Sequence, residues 1–440
     1  MLESSPEPIT SLYVHVPFCA QKCAYCAFYS EASSGELVNR YVAALIRELE
    51  LVAPDLKPRT IFFGGGTPSL LNLRQWEQIL KTMEGLNLLG AEEWTVECNP
   101  ATVSLDKASL LRGYGVNRIS MGVQSLNEAL LDRLGRIHSR DMVFKSFDIL
   151  RQAGFDNVNV DLMFAIPGQT LAIWRETLAE ALALGSEHLS SYEVIYEEDT
   201  ALYAQLQAGE FAVDEDLACE MYEALVASAT NAGFQQYEVA NFARDSRQHP
   251  EVGSTASNSS PSPREERAGR GSGRGVSLQL PLRSHGGAGA MNPVAQDSPA
   301  LVPAIPSHAC RHNINYWRGG SFHGLGPSAT SYVRGVRTKN WANTQIYCDQ
   351  LSKGKRAIET REELTSLARA GETAAFGLRM NAGWPFEQFQ QTTGHNLEAE
   401  WADEIKRLSE QGQGVKSEKS FRLTSEGLRF ADSAAELFLR

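Results

Sequence analysis

The strongest constraint on this chain is an alternation that runs through its first 243 residues. Short β-rich runs take turns with longer amphipathic stretches. The runs are "SLYVHV" (11–16), "TIFFGGG" (60–66), "EEWTVECNP" (92–100), "GVNRISMGVQS" (115–125), "NVNVDLMFAIPGQ" (157–169) and "SEHLSSYEVI" (186–195). Among the stretches between them, "ELVNRYVAALIRELELV" from Glu36, "MVFKSFDILRQAG" and "IWRETLAEALALG" read as helices. Strands separated by helices pair in parallel through right-handed crossovers. Six such units with no obvious switch point predict an α/β barrel or partial barrel rather than an open sheet. Polar and glycine-rich positions follow the strands directly, where barrels of this type build their sites.

Three further stretches follow. Residues 244–309 include "STASNSSPSPREERAGRGSGRG", with few large apolar side chains, and read as a flexible insertion that cannot bury enough surface to order itself. Its arginines would suit an acidic partner, but a tolerated loop expansion is the simpler reading. Residues 310–360 open with "CRHNINYWRGGSFHGLGPSATSYV" and connect the barrel (1–243) to the last part. Residues 361–440 combine helical patterns with the hairpin-like "SEKSFRLT" and predict a small helical, winged-helix-like domain. The net charge of −12 gives no support for a nucleic-acid partner. No apolar run is long enough to span a bilayer, and the start lacks a signal-peptide pattern, so a cytoplasmic protein is expected. Seven cysteines in 440 residues do not make a disulfide scaffold.

Three of those cysteines crowd into "CAQKCAYC": Cys19, Cys23 and Cys26. A structural zinc site closes with four ligands. Here the fourth would have to come from a distance, the next cysteine being Cys98. The spacing C-x₃-C-x₂-C suits a 4Fe–4S cluster better, with three irons held by thiolates and the fourth left open. Cys98, Cys219 and Cys348 sit in apolar patterns and read as core residues.

The cysteine motif after the first strand, followed by "GGGTPSLL" at 64–71, resembles the radical S-adenosylmethionine (SAM) superfamily. There a reduced cluster cleaves SAM, which chelates the open iron. The resemblance narrows with "FFGGGTPSLL", "VECNP", "RISMGVQS", "LGRIHS", "VDLMFAIPGQT", "YEVANFA" and "CRHNINYW", whose order is that of the oxygen-independent coproporphyrinogen III oxidase group. It covers roughly 10–243 and 310–440 and implies a partial (β/α)6 TIM-type barrel. By position, Tyr13 and Tyr25 lie near cluster and SAM. Gly65, Gly66 and Thr67 cradle the methionine, and Glu97, Gln124, Arg136 and Asp161 hold the amino-acid and ribose ends. For Gln124 a helix-capping role is the alternative.

The oxidases of this group carry another cysteine two residues after the third ligand. This chain has Phe28, which makes it similar to the HemW family of haem chaperones. That likeness implies haem as a further ligand and haem-requiring respiratory enzymes as acceptors. "HNINYW" at 312–317 matches the family's HNxxYW pattern. His312 is a candidate haem ligand, with Tyr316 and Trp317 flanking the ring, and a structural turn is the alternative. Cys310 is a second possible ligand, more simply a buried structural thiol. Phe164-Ala165 and Thr330 depart from the family's Tyr-Gly and histidine and are expected to alter the substrate side of the cavity. The alternative function is the oxidase reaction itself, decarboxylation of porphyrinogen propionates.

Overall fold

The computed structural model describes residues 7–32, 34–247 and 303–440. Most of the predicted insertion, 248–302, lies outside the described residues.

All six predicted strands form: β1 (Ile9–Val16), β2 (Leu56–Gly65), β3 (Glu93–Cys98), β4 (Arg118–Gln124), β5 (Val158–Phe164) and β6 (His188–Glu193). They pair in sequence order and in parallel. A short strand, His323–Leu325, adds in parallel to the free side of β1. Asn241–Ala243 and Gln235–Glu238 continue antiparallel beyond β6. The sheet curls into an open barrel whose two terminal strands do not pair among the described residues.

Most of the connecting helices are started by a side-chain cap, Leu105–Gly113 being an exception. Asn72 and Gln75 form a capping box on Leu73–Gly85, and Ser139 and Thr170 accept from the first turns of Arg140–Gln152 and Leu171–Ala183. The helices bury their apolar faces against the outside of the sheet, where Trp76, Trp94, Trp174 and Phe63 are fully enclosed. The barrel interior differs from the usual branched aliphatic filling. It holds Ser11, Thr60, Ser120, Asn159, His188 and Ser190, joined by hydrogen bonds.

Residues 310–360 do more than connect. Helix Arg311–Trp317 closes the end of the barrel opposite the strand C-termini, its first amides donating to the Glu93 carboxylate. Thr330–Val333, Val336–Asn340 and Ile358–Glu363 form a separate antiparallel sheet. Glu48, fully buried on helix Gly35–Val52, anchors this part by accepting from Gly326 N–H (2.9 Å), Asn340 Nδ2 (2.9 Å) and Tyr347 Oη (2.7 Å). The C-terminal region is winged-helix-like. Helices including Ser366–Leu378 and Ala402–Glu410 pack on a three-stranded sheet of Trp384–Pro385, Ser420–Leu423 and Gly414–Lys416. Trp384, Phe389, Trp401, Phe421 and Phe438 are its core.

Candidate functional site

The C-terminal ends of the strands surround a cavity of about 530 Å³. Cys19, Cys23 and Cys26 line it, together with Tyr25, Phe28, Gly65, Gly66, Thr67, Glu97, Gln124, Arg136 and Asp161. These residues come from the loop after β1, from β2 to β5 toward their C-terminal ends and, for Arg136, from the segment after helix Glu128–Leu134, so the parallel topology brings together positions up to 142 residues apart.

Backbone bonds hold the cysteine loop. Ala24 N–H donates to Leu134 O (2.9 Å), and Ala24 O accepts from Leu202 N–H (2.9 Å). Gly66 and Thr67 N–H donate to Val16 and Phe18 carbonyls (2.8 and 2.7 Å), locking the glycine turn beneath it. The turn needs glycine. Gly65 has φ of +102°, and a Cβ there would overlap the His15 ring. A Cβ on Gly64 would stand 2.9 Å from the Glu97 carboxylate.

Glu97 and Asp161 are the acidic floor. Gly65 N–H donates to Glu97 Oε2 (3.2 Å). Burial, reinforced by the nearby Asp161 charge, pushes Glu97 up to about 8. Asp161 accepts from Ser120 Oγ (3.0 Å) and Asn159 Nδ2 (2.7 Å). Burial raises its carboxyl too, against those bonds. Arg136 donates to Cys23 Sγ (3.4 Å) and Gly122 O (2.6 Å), while its buried Nε has no protein partner. Burial works against its charge, but Tyr25 and Cys23 hold its pKa above the ordinary arginine value. Burial raises the Cys26 thiol.

Gln124 sits at a bulge with φ of +67°, which turns it into the cavity. It is not the helix cap: Asn127 accepts from Leu130 N–H and caps Glu128–Leu134. Tyr13 lies one layer below, its hydroxyl on His15 Nδ1 (3.0 Å), and is not part of the cavity wall.

His312 is a correction. It lies at the opposite end of the barrel and is 1% exposed. Its Nδ1 meets Ser11 and Thr60 hydroxyls (both 3.1 Å), its Nε2 meets Tyr316 Oη (2.7 Å), and its ring stacks on Phe62. Neither nitrogen is open to a haem iron, and burial pushes its pKa down to about 3. Trp317 packs against Tyr237. Cys310 is buried with its thiol on Glu93 (3.5 Å), the structural alternative. One further correction concerns a cysteine: Cys219 is exposed rather than core, whereas Cys98 and Cys348 are buried in the core as expected, Cys98 also reaching the cavity wall. Phe164, Ala165 and Thr330 do not line the cavity, so their departures fall away from it.

No motif in the sequence singles out Ser120 and Asn159 beneath Asp161, or Met163, Tyr192 and Ile195 on the wall. The period of two along β5 was the available signal, since Asn159, Asp161 and Met163 share one face.

The donor set fits the cofactors that the motif implies. Three thiols stand on one wall. Among the described residues no group of three or more His, Cys, Asp or Glu converges as a single ion needs. The glycine cradle leaves backbone room for a ligand, and the carboxylates and Arg136 Nε offer partners to a zwitterion.

Residues 13–181 match the Radical SAM superfamily, and 364–430 match the HemN C-terminal domain. The fold resembles the solved coproporphyrinogen III oxidase (HemN) from Escherichia coli, described as a radical SAM enzyme. The TM-score is 0.74 and the identity 22%, over 99% of this chain and 91% of that one. Fold and site thus define a radical SAM protein with a HemN-type C-terminal domain. Over 440 aligned residues the chain is 30% identical to "Heme chaperone HemW" of Bacillus subtilis (strain 168), covering 98% of this chain and 99% of the relative. It is 28% identical to the protein of that name from Escherichia coli (strain K12), covering 98% of each. This chain belongs to the HemW family.

Proposed function

We propose that this protein is a haem chaperone that binds a 4Fe–4S cluster and SAM and delivers haem to acceptor proteins such as respiratory enzymes. The observation that carries it is the single cavity where Cys19, Cys23 and Cys26 face the Gly65–Thr67 turn and the Glu97–Asp161 floor. The cysteines hold the cluster. Glu97 would accept from the amino group of SAM, Arg136 would meet its carboxylate, and Asp161, steadied by Ser120 and Asn159, would take the ribose hydroxyls. Gln124 closes the side, and Tyr25 packs beside the cluster. When bound and reduced, the cluster supplies an electron for SAM cleavage. Phe28 stands where the related oxidases carry their extra cysteine, which favours haem carriage over porphyrinogen decarboxylation. No helix among the described residues is long and apolar enough to cross a membrane, which suits the proposed cytoplasmic setting.

The test uses the anaerobically reconstituted chain. Haem-loaded protein should pass haem to an apo-haem protein. Incubation with coproporphyrinogen, SAM and dithionite should yield no protoporphyrinogen. Robust turnover in the second assay would replace this reading with the oxidase.

A further inference from the structure

The proposed function needs a surface for haem, and the buried, fully hydrogen-bonded His312 does not supply one. The cavity mouth does. Four large apolar side chains that line the cavity are exposed: Phe28 (69%), Ile195 (67%), Tyr192 (42%) and Ile137 (40%). They come from three separate places: the cysteine loop, the segment after Gly135, and the end of β6 with its following turn. The fold does not need them in water, and exposed apolar groups gathered on one rim mark a binding surface. The polar groups read as cofactor-holding lie deeper, at the glycine turn and the two carboxylates, while the exposed Glu193 and Glu197 share the rim.

Size also matters. A cavity of about 530 Å³ holds one drug-sized ligand. With a cluster on the cysteines and SAM on the floor, a tetrapyrrole has no room inside. It has room across the opening.

We propose that haem lies face-down over this mouth, on Phe28, Ile137, Tyr192 and Ile195, capping the cluster cavity. The inference rests on the haem-binding reading above. Aromatic and aliphatic faces suit the flat apolar macrocycle. Glu193 and Glu197 line the same cavity and turn the haem propionates away from their side, toward solvent. None of the described histidines lines the cavity, so no imidazole is offered to the iron there and the apolar rim contacts carry the proposed hold on the haem face. A carrier that must give up its cargo gains from that weak hold on the iron.

The test titrates hemin into the cluster-reconstituted full chain and follows the Soret band. Variants are the double Phe28→Ser/Ile137→Ser and, on the other wall, Ile195→Ser. The cluster absorbance of each sample shows whether its loop is intact. With the cluster retained, the double variant should bind hemin at least about tenfold more weakly, the effect of losing two large apolar contacts. Ile195→Ser should weaken it in the same direction, and Tyr316→Phe, which alters the His312 helix, should leave it unchanged. Wild-type affinity in both rim variants, or loss of hemin on Tyr316→Phe with the cluster present, would overturn the inference while leaving haem carriage standing. Absence of hemin binding by the unaltered chain would overturn the haem-binding reading itself.

Discussion

At the scale of single residues, the strained positions make sharp tests. Ala165 has φ of +57°, the left-handed region that costs an L-residue about 1–2 kcal/mol. Glycine there releases that strain but adds freedom to the unfolded chain. Ala165→Gly should therefore raise stability, by up to about 1 kcal/mol in chemical denaturation. Gly65→Ala should do the reverse, because its Cβ overlaps His15 and its φ is also positive. Loss of about 2 kcal/mol or more and of SAM binding is the expected outcome. His312 predicts a pH effect. Its folded pKa is about 3 against 6.5 ordinarily, so the unfolded chain takes up a proton that the fold refuses. Its contribution is intact above pH 6.5 and lost as pH falls toward 3. His312→Gln should cut the acid-side slope of stability against pH by about 1.4 kcal/mol per unit. An unchanged slope would mean that the ring is protonated in the folded protein.

At the scale of elements, the cysteine loop carries little regular structure. It is pinned by Ala24 to Leu134 and Leu202 and by the short pairing of Phe18–Cys19 with Glu31–Ala32. A cluster would add three further anchors at Cys19, Cys23 and Cys26. Chelating the iron should speed amide exchange across 19–32 while leaving β2 to β5 protected. The same scale shows what was legible in the sequence. The six barrel strands announced themselves by β-rich runs ending in polar or glycine residues, and the site residues followed at their ends. His323–Leu325 did not, because three residues carry no periodicity and the partner strand is some 300 positions away. Ile358–Glu363 reads "IETREE" and is exposed along most of its length, so no apolar alternation marks it. His312 looked like a ligand because Ser11 and Thr60, which claim its ring, lie 301 and 252 residues earlier. No local pattern reveals such partners.

At the scale of the whole molecule, a polar path runs from cavity to C-terminal region. Asp161 meets Asn159, which meets Ser190 (3.2 Å), then Asn241 (2.8 Å), then Glu238 (2.7 Å), whose other oxygen accepts from Arg379 Nε (3.1 Å). Glu238 is 2% exposed, so Arg379 is its counter-charge across the junction. Arg379→Ala strands that carboxylate and should cost about 2–3 kcal/mol, less than for a fully buried pair because the arginine is partly exposed. A separate, earlier unfolding transition of 384–440 in calorimetry is the expected sign. In the proposed reading an iron–sulfur cluster and SAM share one cavity and haem covers its mouth. Anaerobic hemin titration of the reconstituted chain, read in one absorbance spectrum, tests it most directly. A Soret band that saturates near one hemin per chain while the iron–sulfur absorbance persists is expected. Hemin that fails to saturate, or a chain that takes up no iron–sulfur cluster, would contradict it.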